Sequence, residues 1–130
     1  MNMSMDDVVS IGANCVLRTR RNGFFLLAEI EVEAGNVDIE EFVFIRISAR
    51  EARVLINAGV MECTVLNNFD GFNIRDVECV FIVDGEAFAV FDVEVGGMDE
   101  AVLVRISLGQ ARALINRGAR RCTLINRRIF

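Results

Sequence analysis

Four cysteines, at positions 15, 63, 79 and 122, carry the most reactive side chains in this 130-residue chain. They show no C-x-x-C spacing, and the chain contains no histidine. A zinc site needs clustered Cys or His ligands, and a Cys–His nucleophile needs its base, so neither a metal, a cofactor nor a Cys–His pair is expected. Three uses stay open for Cys15, Cys63, Cys79 and Cys122. They can be small buried hydrophobes filling equal places, as free cysteine commonly is. They can form one disulfide per half, Cys15 to Cys63 and Cys79 to Cys122, or cross-links between subunits. A single activated thiol, with Arg121 beside Cys122 lowering its pKa, is the third.

A second constellation occurs twice. Arg46 precedes Ser48 by two residues, and Arg105 precedes Ser107 in the same way. A serine opening a helix, with an arginine beside it, is a chemistry that binds anions or phosphate through free N–H groups and positive charge. The same serine is also required as a helix cap, and Arg46, Arg53, Arg105 and Arg112 are expected to pair with strand acids such as Glu29, Glu31, Asp92 and Glu94. Gly96-Gly97 lacks the strand–glycine-rich loop–helix context of a phosphate loop. The pairs Glu40-Glu41 and Asp99-Glu100 read as solvated loop charges. Without histidine the chain lacks the usual general base and proton shuttle. No catalytic residue is assigned, and an enzyme is not expected.

The net charge is -5, every cation is arginine, and the two signs are segregated. Asp76 to Glu100 contains acids and no arginine, whereas Arg105 to Phe130 contains arginines and no acid. These blocks either neutralise each other within the fold or meet between subunits, where arginine's planar fork pairs bidentately with carboxylates. An acidic domain with no recognised motif is not expected to bind nucleic acid. The opening residues Met1-Asn2-Met3-Ser4-Met5-Asp6-Asp7 have neither a basic nor an apolar leader segment, so the cytoplasm is the expected location, where thiols stay reduced. Charges interrupt every apolar run before the about 18 residues a membrane-spanning helix needs.

The elements that position these residues are legible from an internal similarity at an offset of 59 residues. Phe42 to Asn67 matches Ala101 to Asn126 through pairs such as Arg46/Arg105, Ser48/Ser107, Gly59/Gly118 and Cys63/Cys122. Each copy begins with a hairpin: Cys15 to Arg21 and Phe24 to Glu33 around Asn22-Gly23, then Cys79 to Val83 and Glu86 to Val95 around Asp84-Gly85. Both dipeptides tolerate the positive φ of a two-residue turn. A third strand, Glu41 to Ile47 or Ala101 to Ile106, runs into Ser48-x-x-Glu51 or Ser107-x-x-Gln110, two capping boxes that start helices. Gly59 or Gly118 stops each helix in the left-handed region, and a last strand follows over Glu62 to Leu66 or Arg121 to Ile125.

The expected fold is therefore α+β: two tandem β-β-β-α-β repeats packed as one pseudo-symmetric compact domain of mainly antiparallel sheet. Residues 1–13 are an N-terminal arm or extra strand, 14–67 the first repeat, 68–77 a linker and 78–130 the second repeat. Hydrophobic residues with glycine make up about 61% of the chain, against about 45–50% in ordinary soluble domains. Strands such as Val80 to Val83, Ala87 to Phe91 and Phe42 to Ile45 are apolar on both faces and need cover on two sides. Phe44 and Val90 are expected to face outward. Surplus apolar surface marks an interaction site. These features predict a non-enzymatic structural protein that assembles with itself, as homo-oligomer or polymer, through apolar sheet surfaces. The alternative is a regulatory module holding a small molecule or anion near Arg46, Ser48, Arg105 and Ser107, in a cleft between the repeats.

Overall fold

Along the strand that begins at Phe24, side chains alternate between two sides, as a pleated backbone requires. Phe25 and Leu27 enter one hydrophobic layer, while Leu26, Ala28 and Ile30 enter another. All five are buried, so this strand is covered on both of its faces. The computed structural model describes residues 8–126. Within them the chain is mixed α+β with two sheets, nine strands and two helices.

Strands β1 (Val8–Arg18), β2 (Phe24–Ala34) and β3 (Val37–Ile47) form an antiparallel meander. Helix α1 (Ala49–Asn57) follows, then the short strands β4 (Met61–Glu62) and β5 (Thr64–Leu66), and a 3-10 turn at Ile74–Asp76. A second meander is built from β6 (Cys79–Val83), β7 (Glu86–Val95) and β8 (Met98–Ile106), and leads to α2 (Leu108–Asn116) and β9 (Thr123–Ile125). The first sheet has the order β4-β1-β2-β3-β9 and the second β5-β8-β7-β6. The last strand of each half thus crosses to the opposite sheet: β5 lies parallel to β8, and β9 lies parallel to β3.

The inner faces of the two sheets enclose Leu17, Phe25, Leu27, Phe42 and Phe44 on one side and Phe81, Val83, Phe88, Val90 and Leu103 on the other. Phe44 stacks on Phe81 with ring centroids 3.8 Å apart. Phe44 and Val90, expected to point outward, are both 0% exposed, because the sheets meet on that face. The outer face of the first sheet is covered by α1 through Ala52 and Leu55. That of the second is covered by α2, together with Phe69, Phe72 and Val77 from the stretch that joins the halves. The apolar sheet faces are therefore consumed internally among the described residues.

Local chemistry sets the element ends. Ser48 and Ser107 each accept from the N–H three residues on, and Glu51 and Gln110 reach back to the serine N–H, completing both capping boxes. Gly59 and Gly118 take φ of 105° and 107°, a region closed to most side chains. Asp84-Gly85 forms the expected two-residue turn, with φ of 49° and 79°. Asn22-Gly23 does not. Thr19 folds back, its Oγ1 accepting from the Gly23 N–H at 2.9 Å and its own N–H donating to the Gly23 carbonyl at 2.9 Å. The first strand therefore ends at Arg18 rather than Arg21, and Arg20 to Asn22 form a longer loop. Upstream, 8–14 continue the strand of Cys15, with register irregularities near Ser10 and Ala13. Residues 1–7 of the expected arm lie outside the described residues. No helix among the described residues is long and apolar enough to cross a membrane.

Candidate ligand and assembly surfaces

Cysteine 15 points from β1 into the inter-sheet layer, and Cys63 stands at the step where β4 ends and β5 leaves for the other sheet. Strand β4 is held parallel to β1 by the pairs Cys15–Met61 and Val16–Glu62, and the Cys63 N–H donates to the Val16 carbonyl at 2.9 Å. That brings the Cys15 and Cys63 Cα atoms to 4.8 Å and joins their sulfurs in a disulfide. In the second half Val80 bridges Arg121, the Cys122 N–H donates to the Val80 carbonyl at 2.9 Å, and Cys79 is disulfide-bonded to Cys122. Of the uses left open by the sequence, the structure draws the within-half pairs. Each bond ties a crossing strand to its own half at the point of departure.

Arg46 and Arg105 lie on inner faces, at the end of the sandwich where β3 and β8 finish. The Arg46 guanidinium sits 4.8 Å from the Phe25 ring centre and that of Arg105 4.9 Å from Phe88, a favourable cation–aromatic placement. Arg105 Nη1 donates to Glu86 Oε1 at 2.7 Å in a half-buried ion pair. Arg46 Nε donates to Asn126 Oδ1 at 3.0 Å, and its Nη1 is 3.8 Å from Asp84. These partners correct the expected pairing with mid-strand acids. Arg46 stands opposite Phe25 and Glu29 opposite Phe42, four residues, or roughly 13 Å, along the strand. The β6–β7 turn supplies the carboxylates instead.

Ser48 and Ser107 are not drawn into a shared cleft with these arginines. Their hydroxyls accept from the Glu51 and Gln110 N–H groups at 3.0 Å. The helices they open cover opposite outer faces of the sandwich.

The charges separate along the strand axis. At the end holding Arg46 and Arg105, the last residue of β1 and the β1–β2 loop add exposed Arg18, Arg20 and Arg21. The loop is fixed against the β6–β7 turn: the Arg20 backbone N–H donates to both Glu86 carboxylate oxygens, at 3.1 and 3.2 Å. At the other end the β2–β3 and β7–β8 hairpins run past the apolar layer. Directly paired residues share a face, so Glu29, opposite the inward Phe42, and then Glu31, Glu33 and Glu40 line the inner side of one hairpin. Asp92, opposite the inward Ala101, and then Glu94 line the inner side of the other.

Between the hairpins is a cleft of about 140 Å³, bordered by Glu29, Glu40, Glu41, Glu78, Asp92 and the cation Arg120. Arg120 Nη1 lies 3.7 Å from Glu41, whose Oε1 accepts from Thr123 Oγ1 at 2.7 Å. Among the described residues no group of three or more Cys, Asp or Glu is placed to hold a metal ion. The sequence carried a signal for the cleft in the two-residue spacing of Glu29, Glu31 and Glu33 and of Asp92 and Glu94. It gave no means of knowing that the two acidic faces oppose each other.

Comparison of the chain with protein-family models, with curated proteins and with solved structures found no match.

Proposed function

We propose that this chain is a non-enzymatic structural protein that assembles with copies of itself, using the charged ends and strand edges of its sandwich. The carrying observation is the charge separation: an arginine-bearing loop at one end and a carboxylate-lined cleft at the other. Apolar faces are the weaker contact surface, because both outer faces are covered by helices and the inner faces by each other.

The reading includes an internal duplication with two-fold pseudo-symmetry. It is supported by the strand pairings: Val43 faces Thr123, and Thr64 faces Val102, which are the same two positions under the 59-residue offset. A pseudo-symmetric subunit offers similar edges on both halves, and contacts that do not close propagate. Strand edges contribute as well. Among the described residues, β9 pairs only with 43–45 of β3 and β4 only with 15–16 of β1, so the outer stretches of both long strands present unpaired backbone, a template for strand addition.

The anion-binding alternative has less support, since both serine hydroxyls serve as helix caps and both arginines are ion-paired. Light scattering coupled to gel filtration, with electron microscopy of the same fractions, tests the assembly reading. A particle mass that grows with protein concentration is expected. A monomer at all concentrations overturns the proposal, and stabilisation of that monomer by phosphate, lost in Arg105→Ala, moves the assignment to anion binding.

A further inference from the structure

A cavity of about 600 Å³ opens between the 3-10 turn at Ile74–Asp76 and the C-terminal end of α2. It shares no lining residue with the acidic cleft, and its size is that of small-molecule pockets, about 300–1,000 Å³. Ile74, Val77, Leu114 and Ala119 supply apolar walls, and Arg75 and Arg117 supply charge. Ile74 keeps 42% of its surface exposed, so an apolar body lying there removes surface that the fold leaves in water. Among the described residues no acid borders the cavity. Both arginines are exposed, and among the described residues neither guanidinium has an ion pair or a hydrogen bond. Only their backbones are engaged, the Arg75 N–H by Asn73 Oδ1 and the Arg117 N–H by carbonyls of α2. The C-terminal end of a helix opposes an anion with about half a negative charge. Here the Gly118 and Ala119 N–H groups donate to the Ile115 and Leu114 carbonyls at 3.0 Å, and two whole positive charges outweigh what is left.

The arginines lie outside what the two halves have in common. Under the 59-residue offset Leu114 matches Leu55 and Gly118 matches Gly59, the positions that pack and stop the helix. Arg117 stands where the first half has Ala58, and Arg75 belongs to the stretch that joins the halves. Folding thus accounts for the apolar wall and the turn. It does not account for a pair of cations that occurs only where the joining stretch meets the helix end.

We propose that this cavity binds a small amphiphilic anion, its carboxylate or phosphate head held by Arg75 and Arg117 and its apolar body laid along Ile74, Val77 and Leu114. A guanidinium pairs with either head through parallel N–H donors. The site goes beyond the self-assembly reading and is independent of it, since none of its lining residues belongs to the charged ends or strand edges invoked there.

The test is isothermal titration calorimetry of the full chain with octanoate, octyl phosphate and uncharged octanol, each below its micelle concentration. One-site binding of an anion is expected, about tenfold or more tighter than that of octanol, and weaker in high salt. The tighter of the two anions identifies the head. Arg75→Gln and Arg117→Gln should each weaken binding about tenfold, and Ile74→Asp, which sets a carboxylate in the cavity, at least as much. Arg112→Gln alters an exposed arginine of the same helix that does not border the cavity, and should bind as the wild-type chain does. Unliganded melting temperatures equal to that of the wild-type chain show that the variants fold. No binding of either anion overturns the proposal, as does octanol binding equally well, or anion binding that Arg75→Gln and Arg117→Gln leave unchanged. If neither anion binds and sedimentation velocity shows self-association weakened by Arg117→Gln, the cavity is a contact between copies and the proposal falls.

Discussion

Phenylalanine 81 is the point at which the two sheets grip each other. Its ring stacks on Phe44, meets Phe25 edge-on at 5.2 Å and reaches Phe88 at 6.4 Å, with 1% of its surface exposed. Phe81→Ala removes a buried aromatic from a layer that cannot collapse onto it, and about 3 to 5 kcal/mol of stability is expected to go with it. Urea unfolding checks this: the midpoint should fall while the slope is unchanged. At this scale the sequence is a good guide where chemistry is local. Ser48-x-x-Glu51 and Ser107-x-x-Gln110 specify caps because donor and acceptor are three residues apart. It is a poor guide where a partner arrives from elsewhere. Arg105 meets Glu86 as a diagonal neighbour on the adjacent strand of its own meander, but Arg46 approaches Asp84 only because one meander's turn lies over the other's end, and no spacing encodes that approach.

Among the elements, the crossing strands β5 and β9 bind the halves to each other, and the disulfides fix where each crossing begins. Cys79 and Cys122 are separated by 43 residues, and closing a loop of that length restricts the unfolded chain. Cys79→Ala with Cys122→Ala is expected to lose about 2 to 4 kcal/mol in denaturant unfolding. Alkylation in denaturant before reduction should find no free thiol among the four cysteines. Thiols that label freely at that stage would instead place the protein in a reducing compartment. Strand existence was legible here, since Thr64 to Leu66 and Thr123 to Ile125 fall inside the segments assigned as strands. Their membership in the opposite sheet was not. A short apolar run states that it will pair, and tertiary packing decides with what. The break at Cys63 follows from the same cause, because a strand changing sheets must leave one ladder before entering the next.

For the molecule as a whole, the exchange of strands implies that neither sheet is complete without both halves. Calorimetry should therefore show one transition, with the calorimetric enthalpy matching the van't Hoff enthalpy. Two resolved transitions would mean that the halves are independent folding units. The layered α+β plan could be inferred from strands apolar on both faces, which had to be covered twice. The Phe-rich sheet faces do not remain outside, since they meet each other and two helices with the joining stretch cover the rest, while Val37, Val54 and Met61 stay exposed elsewhere.

The pairing of β9 with β3 also orders events in time. Val43 to Ile45 are synthesised well before their neighbours Thr123 to Ile125. During translation the first sheet waits with an incomplete edge, and the contact that finishes it spans 80 residues of chain, a separation that slows folding. The nascent chain is consequently vulnerable to unwanted strand pairing at that edge until 123–125 have been made, the interval in which a ribosome-bound chaperone would have the most effect on yield.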